Sequence, residues 1–218
     1  MASSSESVVQ ALLERFGQTY AEQAGIRLAD RPSPLYQLLV LATLLSARIS
    51  GDVAVAAAKE LFAAGYRTPQ QMQQASWQDR VDALGRGHYR RYDERTSTML
   101  GEAAALLLER WGGDLRKLRD EAGGDPQQIH KLLTEFKGIG PVGADIFLRE
   151  VQAVWRQVAP YVDARVARGA EKVGLPTSAH ELFELADSPY ELARLSSALV
   201  RVSRGSRAAA EIKRAGTG

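Results

Sequence analysis

An all-helical fold is what the 218-residue sequence predicts, on three observations. Apolar residues recur at the three-to-four spacing of a helix face, helix-start and helix-stop residues punctuate those runs, and no segment sustains period-two alternation. Essentially no sheet is expected. The length suffices for one large domain or two lobes, each able to bury a core.

The elements follow in order. Residues 8–20 carry an amphipathic pattern. Pro32-Ser33-Pro34 opens a run to about residue 47 that is apolar around nearly its whole circumference, as the central helix of a bundle is. Residues 53–64 form the next helix and stop at Gly65, a residue type that accepts the left-handed cap. Thr68-Pro69 supplies an N-cap and a first-turn proline. Ser76 with Asp79 opens a short helix ending at Gly85, and residues 92–110 form a longer one that Gly112-Gly113 ends. Asp125-Pro126 starts the helix before the central motif, and a further helix spans 142–157. Ser178 with Glu181 and Ser188 with Glu191 both fit the capping box. The two ends, about 1–6 and 207–218, are expected to fray.

Composition narrows the chemistry. Hydrophobic residues make up 45% and charged residues 25% of the chain, ordinary for a globular protein. Net charge is only +2, so a basic surface has to come from local arrangement. Arginine far outnumbers lysine, which suits forked phosphate contacts and equally suits a GC-rich genome. Cysteine is absent, which excludes disulfides, thiolate zinc sites and a cysteine-ligated iron–sulfur cluster. His88, His130 and His180 are widely spaced without a ligand motif, so no metal site is expected. Residues 1–7 do not resemble a signal peptide, and no apolar run reaches spanning length. The expected location is the cytoplasm, with no membrane partner.

Phe136-Lys137-Gly138-Ile139-Gly140-Pro141 lies between two of the helices. Gly138 and Gly140 accept backbone angles closed to other residues and permit a tight turn. Ile139 points inward to fix the hairpin, and Pro141 suits the first turn of the following helix. The amides of Val142, Gly143 and Ala144 then face out of a helix N-terminus, a phosphate site that needs no cationic side chain. An αα-hairpin with two convenient glycines is the plainer reading of the Gly-x-Gly taken alone.

About twenty residues on comes Tyr161-Val162-Asp163-Ala164-Arg165-Val166-Ala167-Arg168. Residues 133–148 followed by this Val-Asp segment resemble the helix-hairpin-helix and aspartate signature of the endonuclease III superfamily of DNA base-excision glycosylases. Residues 38–52 (LLVLATLLSARISGD) resemble its core helix and the loop after it, and residues 92–108 and Gly174-Leu175 fall in the expected order. The resemblance covers roughly residues 34–205. It implies two helical lobes with double-stranded DNA bound in a cleft between them. One lobe is discontinuous, residues 1–49 and 151–218, and carries the aspartate; the other is 50–150, with the hairpin motif at about 126–150. A nucleoid-associated monomer is implied, with no required cofactor and no iron–sulfur cluster. A monovalent cation is an optional ligand of the hairpin's backbone carbonyls.

Asp163 matches the family's catalytic aspartate. Glycosidic cleavage develops positive charge on the sugar, and a nearby carboxylate stabilises that charge and orients or deprotonates the attacking water. Asp163 also reads as a helix N-cap, and the two roles are compatible. Bifunctional relatives carry a Schiff-base lysine two residues after the second hairpin glycine; here that position is Val142. Lys137, before the first glycine, is placed on the solvent side. The resemblance therefore implies a monofunctional glycosylase that releases a damaged base by water attack. Arg165 stands where many relatives carry histidine and is read as a DNA contact. Trp155 is read as core, with a place near the pocket as the alternative.

Excision needs the base out of the stack and a side chain in the gap. Residues 47–50 resemble one wedge loop, with Arg48 facing the vacated stack. Residues 85–92 resemble the other: a Gly-x-Gly for an exposed tip, Arg86 and Arg90 for phosphate, and His88 or Tyr89 as the wedge. A solvated inter-helix loop is the alternative there. Arg201, Arg204, Arg207, Lys213 and Arg214 form either a second basic patch or a solvated helix end. The competing function is a catalytically reduced binder of damaged or branched DNA, and a helical protein-interaction module is the third.

Overall fold

The computed structural model describes residues 4–215, and among them no strand occurs. The helices run α1 (Ser4–Phe16), α2 (Tyr20–Gln23), α3 (Pro32–Ser46), α4 (Gly51–Ala63) and α5 (Pro69–Gln74). Then follow α6 (Trp77–Arg86), α7 (Asp93–Trp111), α8 (Leu115–Glu121), α9 (Pro126–Leu133) and α10 (Pro141–Val151). The last four are α11 (Ala164–Val173), α12 (Ala179–Ala186), α13 (Pro189–Ser203) and α14 (Ser206–Ala215). The chain divides into two compact units, residues 21–148 and a terminal unit of the residues up to 20 with those from 149 onward. The boundary expected at residue 49 therefore moves to 20. The reason is α3, whose all-round apolar surface is covered by α4 and α8 of the 21–148 unit.

Within the 21–148 unit, Leu35, Leu38, Leu39, Leu41 and Leu44 of α3 are all at most 1% exposed, each contributing about 1.5–3 kcal/mol by burial. Helix starts are fixed by their caps. Ser50, Thr68 and Ser76 accept from the amides of Val53, Gln71 and Asp79, and Asp79 returns a bond to the Ser76 amide. Such caps are worth roughly 1 kcal/mol each. Arg80 of α6 is buried and acts as a hub, donating to the carbonyls of Met72, Ala75 and Ser97. It thereby ties α5 and α7 to α6.

The terminal unit is built on α13, which packs against α1, α11, α12 and α14. At the α11–α13 crossing Gly169 is obligatory, because a Cβ there would lie 2.1 Å from the Leu199 carbonyl oxygen. The two ends expected to fray are helical where they are described. Residues 4–6 begin α1 and 207–215 lie in α14, held by Ala209 and Ile212 in the core. Residues 1–3 and 216–218 lie outside the described residues. The expected 142–157 helix is shorter, ending at Val151, and turns cover 152–154 before Trp155, which is fully buried as core.

Candidate functional site

In the 21–148 unit the hairpin joins α9 to α10. Gly138 sits at φ +89°, a left-handed angle, with the Thr43 methyl and Met99 sulfur 3.0 and 3.2 Å from where a Cβ would stand. Ile139 is buried at 4% exposure and its amide donates to the Phe136 carbonyl. Gly140 differs from the sequence expectation. Its φ is outside the left-handed region and nothing lies within 4 Å of a Cβ placed on it, so the fold itself does not demand glycine there. The Ala144 amide, expected free, donates to the Gly140 carbonyl as the first bond of α10. Of the three amides expected free, those of Val142 and Gly143 stay open, with no acceptor among the described residues. Val142 is an exposed apolar side chain at 47%, Gly143 is buried against Ser46 and Ile139, and Lys137 is exposed as expected.

Ser46 donates to the Gly138 carbonyl at 3.1 Å and so anchors the hairpin to the end of α3. Just beyond, Arg48 is exposed with no ion-pair partner among the described residues. A hollow of about 300 Å³ opens here, lined by Ser46, Arg48, Tyr89, Tyr92, Met99 and Gly138 among others. Two loops that sequence reasoning proposed separately thus meet the hairpin at one cavity.

The 85–92 loop needs three corrections. Tyr89 is not a wedge: it is 0% exposed, with its hydroxyl 3.4 Å from that of Thr96, and burial pushes the phenol pKa up. Gly87 does not free a loop tip; a Cβ there would be 2.4 Å from the Ala57 Cα, so it lets the chain press against α4. Arg86 is engaged by Glu60 at 3.0 Å, an exposed pair worth little in itself. His88 stands exposed at φ 63°, and Arg90 is exposed and without an ion-pair partner among the described residues. Both side chains are open to solvent.

Asp163 lies in the terminal unit at the N-cap of α11. Its Oδ1 accepts from the amides of Arg165 and Val166 at 2.7 and 3.2 Å. Its Oδ2 accepts from Nε and Nη2 of Arg149 at 2.8 and 2.5 Å. The two side chains are 5% and 3% exposed, a buried ion pair. Sequence reasoning missed Arg149. It also missed Gln152, which is fully buried and pins the approach to Asp163: it accepts from the Tyr161 amide and donates to the carbonyls of Tyr161 and Arg149. Arg165 is half-buried, and burial followed by Arg204, Arg149 and Arg168 lowers its guanidinium pKa. Of the C-terminal basic run, Arg201 is diverted to stacking on Tyr20 and donating to the Phe16 carbonyl. The Arg207 side chain lies outside the described residues.

Fold and site together define an all-helical protein with a glycine hairpin in one unit and a buried, helix-capping aspartate in the other. No family model matches the chain, and no curated protein matches it. Among solved structures it is similar to a non-covalent endonuclease III–DNA complex, with TM-score 0.50 and 18% identity over 92% of this chain and 85% of that one. A trapped covalent endonuclease III–DNA intermediate, an estranged-adenine complex, aligns over the same shares with TM-score 0.47 and 17% identity. The protein has the all-α endonuclease III fold.

Proposed function

We propose that the protein is a monofunctional DNA N-glycosylase that binds double-stranded DNA and hydrolyses the bond between a damaged base and its sugar. The observation that carries this reading is Asp163: a buried carboxylate fixed at the start of α11 in a chain of endonuclease III fold, where the sequence resembles the family's aspartate segment. The open amides of Val142 and Gly143, beside a Gly140 that the fold does not require, suit a DNA phosphate approaching the backbone. Arg48, His88, Arg90 and Arg165 supply further contacts. Val142 carries no nucleophile, so a base would leave by water attack, with an abasic site as product.

A monovalent cation at the hairpin would share its ligands. The Gly138 carbonyl already accepts from Ser46 and the Phe136 carbonyl from Ile139, each with one lone pair to spare.

The test is incubation with duplexes bearing a panel of damaged bases, followed by alkali. Alkali-dependent cleavage that Asp163→Asn abolishes, at a temperature where that variant remains folded, is the expected result. Cleavage without alkali, trapped by borohydride, would refute the monofunctional assignment. A second reading, a catalytically reduced binder of damaged or branched DNA, is favoured by one observation: both Asp163 oxygens are already fully engaged. Salt-sensitive binding with no base release across the panel would decide for it.

A further inference from the structure

We infer that Arg149 acts as a brake on Asp163, cancelling the carboxylate's charge where the proposed reaction would use it. The inference rests on the glycosylase reading of Asp163 and concerns a positioning residue that acts through it. A carboxylate offers about four acceptor directions. All four are filled: two backbone amides on Oδ1 and two guanidinium N–H groups on Oδ2. No lone pair is left to orient a water.

Charge leads to the same conclusion. A developing sugar cation gains from a lone carboxylate, but an ion pair presents it with almost no net field. The surroundings add positive charge, since Arg165 is crowded by Arg204, Arg149 and Arg168. None of Arg165, Arg168 and Arg204 has an ion-pair partner among the described residues. The arrangement is also rigid. Gln152 holds the Arg149 carbonyl, and α11 is pinned to α13 at Gly169. Arg149 itself is buried, so it requires Asp163 as its counter-charge just as the carboxylate requires its cap.

The field can be measured without any chemistry. Two duplexes are compared, one with a cationic pyrrolidine in place of the sugar and one with neutral tetrahydrofuran. The wild type is expected to bind both alike, within about threefold, and Arg149→Gln to prefer the cationic one by about tenfold or more, as removal of a nearby unit charge at moderate effective dielectric predicts. Arg149→Lys, which keeps the charge, is expected to behave as wild type. On a damaged duplex that the wild type processes, Arg149→Gln is expected to release the base faster.

A folded Arg149→Gln that binds both duplexes alike overturns the brake and leaves the glycosylase reading standing. Absence of binding to either duplex overturns the DNA reading, and the brake falls with it. Should Arg149→Gln fail to fold, wild type and Arg149→Lys decide. A preference of either for the cationic duplex above about tenfold shows an uncompensated carboxylate and refutes the brake, whereas equal binding by both supports it.

Discussion

Replacing each hairpin glycine by alanine separates what the fold needs from what a ligand needs. Gly138→Ala forces alanine to φ +89° and sets its Cβ 3.0 Å from the Thr43 methyl and 3.2 Å from the Met99 sulfur. The left-handed angle alone costs about 1–2 kcal/mol, and with the crowding a total near 2 kcal/mol lowers Tm by about 4–8 °C in a chain of this size. Gly140→Ala meets nothing within 4 Å and leaves an ordinary backbone angle. Lower entropy of the unfolded chain then raises stability by about 0.4–1 kcal/mol. The same methyl projects into open space just before α10, where a phosphate drawn to the open amides of Val142 and Gly143 would arrive. Loss of one charge-assisted hydrogen bond to phosphate, about 1.5–3 kcal/mol, weakens duplex binding roughly tenfold to a hundredfold. Thermal unfolding and fluorescence anisotropy on a labelled duplex read the two effects separately. A stable Gly140→Ala that binds DNA as tightly as wild type refutes the assignment of this face to phosphate.

Three other outcomes follow from the packing. Asp163→Asn keeps a cap for α11 but leaves Arg149 buried without its counter-charge, so urea unfolding should show a loss of about 3 kcal/mol; an undiminished midpoint would mean that the pair does not form in solution. Tyr36 is buried with no hydrogen-bond partner for its hydroxyl, so Tyr36→Phe should be neutral or stabilising by about 1 kcal/mol. Burial raises the Tyr36 phenol pKa above its ordinary 10.0. The unfolded chain therefore releases this proton first, and wild-type stability falls as pH rises above about 10, a slope that Tyr36→Phe should reduce in denaturation curves taken across that range. Gly169→Ala drives a methyl into the Leu199 carbonyl and should destabilise by about 3 kcal/mol, measured by thermal melting.

Much of the fold was legible because local chemistry and tertiary packing agree. Thr68, Ser76, Ser178 and Ser188 cap helices where their residue types suggest, and the apolar circumference of α3 announces a central helix. The hairpin and Asp163 were legible for the same reason, since Gly138 and an aspartate N-cap are local requirements. Misreadings came where a residue serves a distant partner. Tyr89 sits among basic residues in sequence yet turns inward to Thr96, and Gly87 reads as loop freedom although it exists for contact with Ala57. Arg149 lies inside the expected 142–157 helix, where its residue type alone does not mark it as buried. The signal that could have found it is the company it keeps: Arg149, Glu150 and Gln152 interrupt a run of Ile146, Phe147, Leu148 and Val151, so these polar groups had to be buried with partners. Sequence periodicity does not say which partners.

Those partners set an order of assembly. Glu150 accepts from the Tyr20 amide, 130 positions earlier, and from the Ser197 hydroxyl, while Arg201 reaches the Phe16 carbonyl across 185 positions. During synthesis α1 precedes the rest of the terminal unit and has nothing to close against until α13 has followed. The 21–148 unit, by contrast, has its own core complete before residue 149 is made. A nascent chain halted after α10 would hold a finished hairpin unit with an uncovered α1 exposing Val8, Val9 and Leu12. The carboxylate of Asp163 has its partners only once residues 149–166 are made, so any chemistry it performs waits on the terminal unit and not on the hairpin unit.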